Sequence, residues 1–534
     1  MALVTIVPEI RAQRTAVVTA SNPIYTDIER LSELGLLDSV IIGQRPYSIR
    51  EIARISHAAR ARLQQREAQT PAASSAERTL VDRVSAEVAE LEAQQGFETL
   101  LTGWSLTASS TDADRRLFSR YQNKPAEATI DPLAERRLGT PAAKGQSLWL
   151  EAEHRLEPTS WAAFQLRERV DYGVHTPGNG RDATAELLIA AARLRYHNVA
   201  FSAGRQQFTW AQSAGDGLFL ASDAPALDQI SLSGDQPFVL PGFLHYLGPT
   251  QATLVIADLG PSIIRSHSEL LTYKVSVQPS SAVEIGGTFM DHYGGEGGLT
   301  TPFSNRLIDF LPFLDVFRTH NYYDSTKTLD VDSDKLLGVD GRMRLDAIGG
   351  VLLTGELLID DFDPRRVRQL LTSTGSQMAT IIIPRLGTPA ASLKLSAKHM
   401  GIITYTHLRI ENGITTRGRL LGDELGPDAK SYSATLRVDP TPLLHLELEG
   451  RSSIYSDAVY AGFYTDPAQT IWVVQKVAER PDELRDLAIG KVFVRLGENY
   501  AINARAGLER TRNVYGTGGR RSDYVIALAL RAGI

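Results

Sequence analysis

The sequence contains no cysteine, no long apolar run and no excess of positive charge. Without cysteine, disulfide frameworks, thiolate zinc sites, Fe–S clusters and thiol nucleophiles are excluded. No stretch approaches the roughly 18 consecutive apolar residues of a transmembrane helix, so any crossing of a membrane would have to be made by strands. The formal net charge of −6, with Lys and Arg dispersed among acidic residues, gives no electrostatic case for nucleic-acid binding.

The length of the chain favours either several domains or one very large β structure. At 534 residues it exceeds the size of one ordinary soluble core. Hydrophobic residues make up 43% and charged residues 22% of the sequence, which is the balance of a folded chain rather than a disordered one. The fold class must therefore come from the pattern of residues along the chain.

From about residue 147 to residue 530 the sequence repeats short strands in which apolar and polar residues alternate. The clearest case is Leu444–Glu449, where leucines alternate with histidine and glutamates. It follows the strand Tyr432–Val438 across the turn 439–442. A period of two places one set of side chains on each face of a sheet, so the repeated hairpins predict a large antiparallel sheet.

Two environments could accept the apolar face of this sheet, lipid or a protein core. A soluble antiparallel protein with one wet face also alternates. The connections, however, are unequal, with very short ones such as 278–281 and long polar ones such as 291–303 and 318–334. Short turns and longer loops are typical of outer-membrane barrels. The pattern therefore favours a mainly β fold, a large antiparallel transmembrane β-barrel of about 16–18 strands.

Residues 22–97 carry a pattern that is typical of helices and predict an N-terminal helical bundle. Thr26 with Glu29, and Ser48 with Glu51, have the spacing of capping boxes, and Gly35 stands where a first helix would end. The remaining divisions are a signal-peptide remnant or lead-in at residues 1–21, a connector at 98–146 and the barrel at 147–534.

No catalytic, metal or cofactor site is predicted. The sequence has no GxSxG, HExxH, phosphate-cradling or dinucleotide-binding motif, and the acidic run 330–334 lacks the glycine and glutamate of a calcium loop. His292 in a glycine-rich segment and the pair Asp360 and Asp361 at a strand end are more typical of a hydrated loop and a turn. An outer-membrane hydrolase that uses these three residues is one of the hypotheses for function.

Four side chains are candidates for contact with a saccharide. The aromatic faces of Trp210, Tyr322 and Tyr323 could stack on the apolar faces of sugar rings, with His292 as a polar neighbour. Packing inside the protein or in an interfacial girdle is the commoner use of such aromatic residues.

Several segments resemble, in the same order, the signature of the capsule assembly protein Wzi family. A strand ending in Gly-Arg-Gln is followed by a tryptophan, a loop of small residues and an apolar–Ser–Leu segment. The matching segments are Phe201–Gln206, Trp210, Gly217–Pro225, Ile230–Leu232, Ile285–Gly286 with Gly294–Gly297, Glu356–Phe362 and Leu420–Ala429. The helical start Tyr25–Ile55 is also similar to these proteins.

The resemblance implies a multi-pass β-barrel in the outer membrane that attaches or organises capsular or related surface polysaccharide without catalysis. The expected partners are polysaccharide and membrane lipid. No nucleic acid, cofactor or metal is expected, and the protein is expected to be a monomer. The signature residues would be structural, with Arg205 facing the lumen; they are Gly204, Arg205, Gln206, Asp360, Asp361, Gly422, Gly426 and Pro427.

A diffusion porin is the alternative function, since charged inward faces would also suit an open lumen. The stretch Tyr25–Ile55 has a second likeness, to surface-layer homology modules that bind cell-wall polymers. In that case the porin would be tethered to the cell wall through its N-terminal helices. The identity of the polysaccharide is not encoded in any motif of the sequence.

Membrane fractionation and gel mobility before and after heating test the prediction of a β-barrel. We expect the protein to fractionate with membranes and its gel mobility to shift after boiling in SDS, because a closed β-barrel stays compact until heat opens it. A soluble protein whose mobility is the same before and after heating would contradict the barrel.

Overall fold

The fold is a closed antiparallel barrel of 18 strands in a computed structural model of the chain, and the part of the chain described before the barrel contains three α-helices. The structure describes residues 14–20, 22–69, 75–93, 101–113, 116–117, 129–130, 144–174, 181–213, 217–222, 224–261, 266–297, 333–360, 374–406, 413–456, 458–464, 472–479, 481–497, 500–514 and 516–533. The helices are α1 (Ile24–Glu33), α2 (Ile49–Gln69) and α3 (Ser75–Ala93). None of the described helices is long and apolar enough to span a membrane.

The barrel strands follow one another around the wall in chain order. They are β1 (Leu101–Thr111), β2 (Gly145–Thr159), β3 (Ala162–Val174), β4 (Arg181–Tyr196), β5 (Val199–Gln206), β6 (Leu227–Gly234), β7 (Pro249–Asp258), β8 (Ser268–Ser280), β9 (Val283–Gly294), β10 (Ser333–Leu345), β11 (Val351–Asp360), β12 (Ser376–Ile383), β13 (Ala391–Met400), β14 (Ala429–Thr441), β15 (Leu444–Tyr455), β16 (Glu483–Leu496), β17 (Tyr500–Val514) and β18 (Gly519–Ala532). Pairing of β1 with both β2 and β18 closes the ring, so the predicted strand number is confirmed.

Alternation along each strand separates an apolar outer face from the lumen. On β18, Ile526 and Leu528 are 57% and 54% exposed, whereas their neighbours Val525 and Ala527 are buried. On β15, Leu448 is exposed outward while Glu447 faces inward and pairs with Lys491. A ring of outward leucines and isoleucines suits hydrocarbon, and inward charges suit a polar interior.

The predicted connector at 98–146 contains a barrel strand, which corrects its boundaries. β1 pairs along its length with β18, from Trp104 opposite Ala532 to Thr111 opposite Val525. Its inward residues are Thr107, Ser109 and Thr111, which are small and polar. With few large apolar residues on its outer face, β1 gives a weak alternation signal, and β2 likewise begins two residues before the predicted start of the barrel.

The two ends of the barrel differ in the length of their connections. At one end, the short-turn end, strands are joined by two residues at 160–161, 197–198, 281–282 and 442–443. At the other, the long-loop end, connections include 207–226, 295–332 and 401–428. In bacterial barrels the short turns face the periplasm and the long loops the exterior, which gives this barrel its orientation.

The described N-terminal residues 14–20, 22–69 and 75–93, here called the helical plug, close the short-turn end. The guanidinium of Arg30 donates to the carbonyl oxygens of Pro384 and Pro389, 2.6 and 2.7 Å away. At the same turn Arg385 pairs with Glu77 at 2.7 Å, and at the neighbouring turn Arg83 donates to the carbonyl of Pro442 at 3.1 Å. On another side, the hydroxyl of Thr15 donates to the carbonyl of Ser160 at 2.6 Å, in the turn that joins β2 to β3. These bonds reach turns on different sides of the barrel, so the plug is held around its circumference.

The predicted caps of the plug helices are confirmed at one helix and wrong at another. The Ser48 hydroxyl accepts a hydrogen bond from the amide of Glu51 at 3.1 Å, as a capping box requires. Helix α1 instead begins earlier, with the Asn22 side chain accepting from the amide of Ile24, so Thr26 lies inside the helix. Gly35 has φ of +70° just after α1, the left-handed conformation of a helix stop.

A buried carboxyl makes the docking of α3 dependent on pH. Burial, reinforced by the carboxylate of Asp27, raises the pKa of Glu87 from its ordinary 4.5 to about 7, although Arg495 lies 3.5 Å away. Because the folded-state pKa is the higher one, the docked state retains a proton that the undocked chain releases. The stabilisation is complete below about pH 4.5 and is lost as the pH rises through 7.

We therefore expect α3 to become less protected from hydrogen exchange between pH 5.5 and pH 8, by about 1–3 kcal/mol after correction for intrinsic rates. In a Glu87→Gln variant this dependence should disappear. Glu67→Gln on α2, which changes a more exposed glutamate, serves as the control and should retain it. Equal pH dependence in all three proteins would contradict the assignment.

Candidate functional site

The loop between β5 and β6 folds into the lumen and carries much of its apolar filling. Trp210, Leu218 and Phe219 on this loop are buried, and they pack on inward residues of the wall such as Met290 and Leu336. The Phe219 ring lies over Gly338 of β10, where an added Cβ atom would be 1.9 Å from the ring. The wall is therefore shaped to receive this aromatic residue.

A second loop, between β13 and β14, packs against the first. Together the described parts of the two, residues 207–213, 217–222, 224–226, 401–406 and 413–428, are called the luminal loops here. The amide of Ala221 donates to the carbonyl of Leu421 at 2.9 Å, and Thr416 donates its hydroxyl hydrogen to the carbonyl of Leu259 at 2.7 Å. The loops are thus bonded to each other and to the barrel wall.

Tyr405 fastens the two luminal loops together. Its hydroxyl donates to the carbonyl oxygen of Leu218 at 2.5 Å and accepts from the amide of Asp423 at 3.0 Å. Burial raises the pKa of Tyr405 well above its ordinary range, so the phenol keeps the proton that it donates. Its backbone has φ of +63°, and its ring occupies the space that a Cβ atom on Gly422 would fill.

Three wall carboxylates receive the first luminal loop. Glu356 accepts from the amides of Gln212 and Leu218, at 3.2 and 2.8 Å. The amide group of the Gln212 side chain donates to both Glu284 and Asp340, at 3.0 and 2.5 Å. All these carboxylates are buried, and a buried carboxylate is costly unless donors surround it.

The helical plug reaches one of these carboxylates, Glu284, from the opposite end. The amides of Ile42 and Gly43 both donate to Glu284 at 2.9 Å. Beside them, Arg45 and Thr209 form a two-way backbone bridge, with N···O distances of 2.9 and 3.1 Å. Plug and luminal loop therefore meet inside the barrel and share one acceptor.

A cluster of charged side chains lies at the long-loop rim, the barrel edge where β4, β5 and β6 meet the luminal loops. Arg205 of β5 pairs with Asp228 of β6 through two short hydrogen bonds, 2.7 and 2.6 Å. Arg417 of the second luminal loop approaches both Glu186 and Asp228, at 3.3 and 3.6 Å. Their side chains remain partly exposed, so this rim cluster keeps hydrogen-bonding groups accessible from outside.

Of the four candidate saccharide residues, the structure describes two, Trp210 and His292, and places both in the interior. Trp210 is buried among the luminal loops, and His292 is buried in the wall, where its Nε2 lies 2.8 Å from the hydroxyl of Ser268. Tyr322 and Tyr323 lie outside the described residues. The predicted stacking therefore remains untested, and neither buried side chain presents a face to the exterior.

The signature residues lie at the luminal loops and their anchors. Gly204 has φ of +111° and approaches the carbonyl of Ala190 closely, and Asp360 accepts from the amide of Tyr405 at 3.0 Å. Gly426 and Pro427 lie in the turn that leads the second luminal loop into β14, and Gln206 is buried on the lumen side. Asp361 lies outside the described residues.

The expectation that Arg205 faces the lumen is wrong. In the strand pairing Arg205 lies opposite Asp228, in the same register as the outward Phe201 and Ile230. Its charge is accommodated because β5 ends at the rim, outside the apolar belt. Across the described residues no group of three or more potential ligands is placed to hold a metal ion.

The tyrosine link between the luminal loops gives a direct test of this packing. In Tyr405→Phe, the amide of Asp423 and the carbonyl of Leu218 lose a shared partner in a buried site, which we expect to cost about 1–3 kcal/mol. Hydrogen exchange should quicken at 217–222 and 413–428 while the wall strands keep their protection. Tyr432→Phe, which alters an exposed outer-wall tyrosine, is the control; equal exchange in both variants would contradict the link.

Comparison with known proteins supports this description of the fold. The structure of Wzi from Escherichia coli, described as an outer-membrane carbohydrate-binding β-barrel involved in group 1 capsule assembly, is similar with a TM-score of 0.66 at 15% identity, over 97% of this chain and 99% of that one. OccAB1 of Acinetobacter baumannii has a TM-score of 0.44 at 8% identity, over 82% and 98% of the two chains. No curated protein sequence matches.

The sequence profile described as capsule assembly protein Wzi matches residues 119–457. This segment includes the strands and luminal loops that carry the signature. Since the match spans more than half of the sequence, the chain belongs to the capsule assembly protein Wzi family and is a β-barrel of the outer membrane.

Proposed function

We propose that this protein holds capsular or a related surface polysaccharide at its long-loop rim and acts as a lectin-like attachment factor without catalysis. The observation that carries the proposal is the meeting of the helical plug and the luminal loops inside the barrel, at Arg45 and Thr209. A barrel filled in this way has its accessible recognition surface at the rim. The description of E. coli Wzi as carbohydrate binding agrees with this role.

The rim cluster offers suitable chemistry for a sugar polymer. Arg205, Arg417, Asp228 and Glu186 combine fixed donors and acceptors, and planar guanidinium groups can bind sugar hydroxyls or carboxylates in two-point contacts. Tyr322 and Tyr323, the residues predicted to stack on sugar, belong to the connection between β9 and β10, which is one of the connections at the long-loop end. A stacking role for them is therefore compatible with a binding surface at the rim. Trp210 and His292 would contribute by fixing the luminal loops and the wall.

A hydrolase is the less favoured function, because its candidate groups are enclosed. His292 bonds to Ser268, and Asp360 accepts from the amide of Tyr405. Both side chains are fully buried, so a polymer at the rim would not reach them. In the proposed function the protein acts as a monomer in the outer-membrane lipid, binds polysaccharide and uses no cofactor.

Retention of polysaccharide on cells tests the proposal. We expect deletion of the gene to move surface polysaccharide from the cell pellet into the medium, and the wild-type chain to restore it. Arg417→Ala and the double variant Tyr322→Ala/Tyr323→Ala should restore retention only in part, because the first removes a guanidinium of the rim cluster and the second removes the rings proposed to stack on the sugar. Arg78→Ala, an exposed change on α3 at the other end of the barrel, should restore it fully.

Conductance in planar bilayers separates this function from the porin. A filled barrel should give little steady conductance, whereas an open lumen gives large stable steps. Large stable conductance together with unchanged polysaccharide retention in the deletion strain would show a diffusion porin and overturn the proposal.

A further inference from the structure

Three arginine side chains, here called the outward arginine cluster, lie together on the outer wall near the long-loop end of β17 and β18. Arg512 of β17 lies directly opposite Arg520 of β18, and Arg510 lies two residues before Arg512. The alternation of the two strands places all three on the same face as Leu508 and Ile526, which are 67% and 57% exposed. The cluster is therefore directed sideways from the barrel, toward the surrounding membrane.

The outward arginine cluster carries more positive than negative charge. At the outward positions of β16, β17 and β18, all of which lie in the described part of the chain, Asp486 is the one acidic residue. Its two carboxylate oxygens accept from the hydroxyl of Ser452 at 2.8 Å and from Arg512 at 2.9 Å. Among the described residues, no carboxylate lies within 4 Å of Arg510 or Arg520, and both arginines are exposed. Two guanidinium groups are therefore free to bind an anion.

Arg512 and Arg520 also form a like-charged pair across the two strands. Side chains directly opposite each other in an antiparallel pair have Cβ atoms about 4.5–5.5 Å apart, and like charges at such positions destabilise the pairing. An anion with several oxygens between them would offset this repulsion. Phosphate suits the position, because the planar guanidinium group binds it through paired hydrogen bonds.

The distance along β17 places the cluster at the outer boundary of the hydrocarbon. Tyr500, which is 50% exposed, begins β17 at the short-turn end, where aromatic residues mark the level of the lipid headgroups. Ten residues later, a rise of about 3.4 Å per residue at a strand tilt of about 40° puts Arg510 roughly 26 Å higher. The apolar band of outer-membrane barrels is about 25 Å tall. The cluster therefore reaches the headgroups of the outer leaflet.

We propose that the outward arginine cluster binds the phosphate groups of a phosphorylated glycolipid of the lipid A class in the outer leaflet. The phosphates lie against Arg510 and Arg520, and the acyl chains lie along the exposed Leu508, Ile526 and Leu528. This lipid is favoured over an acidic polysaccharide because the arginines lie on the wall directly beyond exposed apolar side chains. The site is separate from the rim cluster of β4, β5 and β6, and it is independent of the polysaccharide function.

Native mass spectrometry of the full chain in detergent, titrated with diphosphoryl lipid A, tests this site. We expect one lipid to bind more tightly than further copies, and binding to weaken as ionic strength rises. Monophosphoryl lipid A should bind about tenfold more weakly, because only one phosphate then meets a guanidinium group. Equal affinity of the wild-type chain for the two lipids would overturn the proposal, and this comparison needs no variant.

Three double variants assign the binding to the cluster. Arg510→Gln/Arg520→Gln should weaken the binding of diphosphoryl lipid A about tenfold and remove the preference for it, because two charge-assisted contacts are lost. Arg510→Lys/Arg520→Lys retains both charges and should retain part of the affinity. Arg60→Gln/Arg78→Gln removes two exposed arginines of the helical plug and should bind as the wild type does. Heat-modifiable mobility checks that each variant is folded, and equal binding in the first and third would overturn the proposal.

Competition separates the glycolipid from other anions. Millimolar inorganic phosphate and oligogalacturonate, an acidic oligosaccharide without phosphate, should both leave the lipid bound, since neither has acyl chains to lie on the wall. Displacement by phosphate alone would show a simple anion site. Displacement by oligogalacturonate would show that the cluster belongs to a polysaccharide-binding surface. Either displacement would overturn the proposal.

Discussion

The interior of this barrel depends on wall carboxylates whose hydrogen-bond donors come from elsewhere in the chain. Glu284, Asp340 and Glu356 stand on three neighbouring strands and are buried. Lys274 reaches Asp340 at 2.5 Å, but the remaining acceptors are filled by amides of the luminal loop and of the helical plug. The plug and the loop exclude water from these carboxylates and supply the donors that replace it, and loss of one donor from the filled lumen would leave a buried carboxylate short of a partner, at a cost of several kcal/mol. The filling and the acidic residues of the wall are therefore matched to each other.

This constraint links the two ends of the molecule. Glu284 accepts from Ile42 and Gly43 of the plug and from Gln212 of the loop, so either segment alone leaves it short of donors. Withdrawal of the plug would thus weaken the luminal loop, and the converse also holds, since the two share an acceptor. The rim cluster is built on that loop assembly through Arg417. A polysaccharide surface at the rim would accordingly be held rigid by contacts that run through the whole lumen.

Most of the fold could be predicted from the sequence because its signals are local. Alternation over Leu444–Glu449 falls within β15, and Ser48 with Glu51 caps α2. β1 was not predicted because it consists largely of serine, threonine and alanine, which give little alternation of apolar and polar residues. It is recognised only through its pairing with β2 and β18. Helix α1 begins earlier than predicted because the side chain of Asn22, and not that of Thr26, accepts from an amide at the start of the helix.

The site was harder to predict because its contacts are long-range. Nothing near Tyr405 in the sequence indicates that its hydroxyl would bond to Leu218 and Asp423, and an aromatic residue in a polar loop has the same local pattern whether it faces sugar or lumen. The glycines carried more information than the aromatics. Gly338 and Gly422 each leave the space that one aromatic ring occupies, Phe219 and Tyr405 respectively. At these two positions the missing side chain makes room for a ring, so the part of the family signature around Gly422 lies at a packing contact of the lumen.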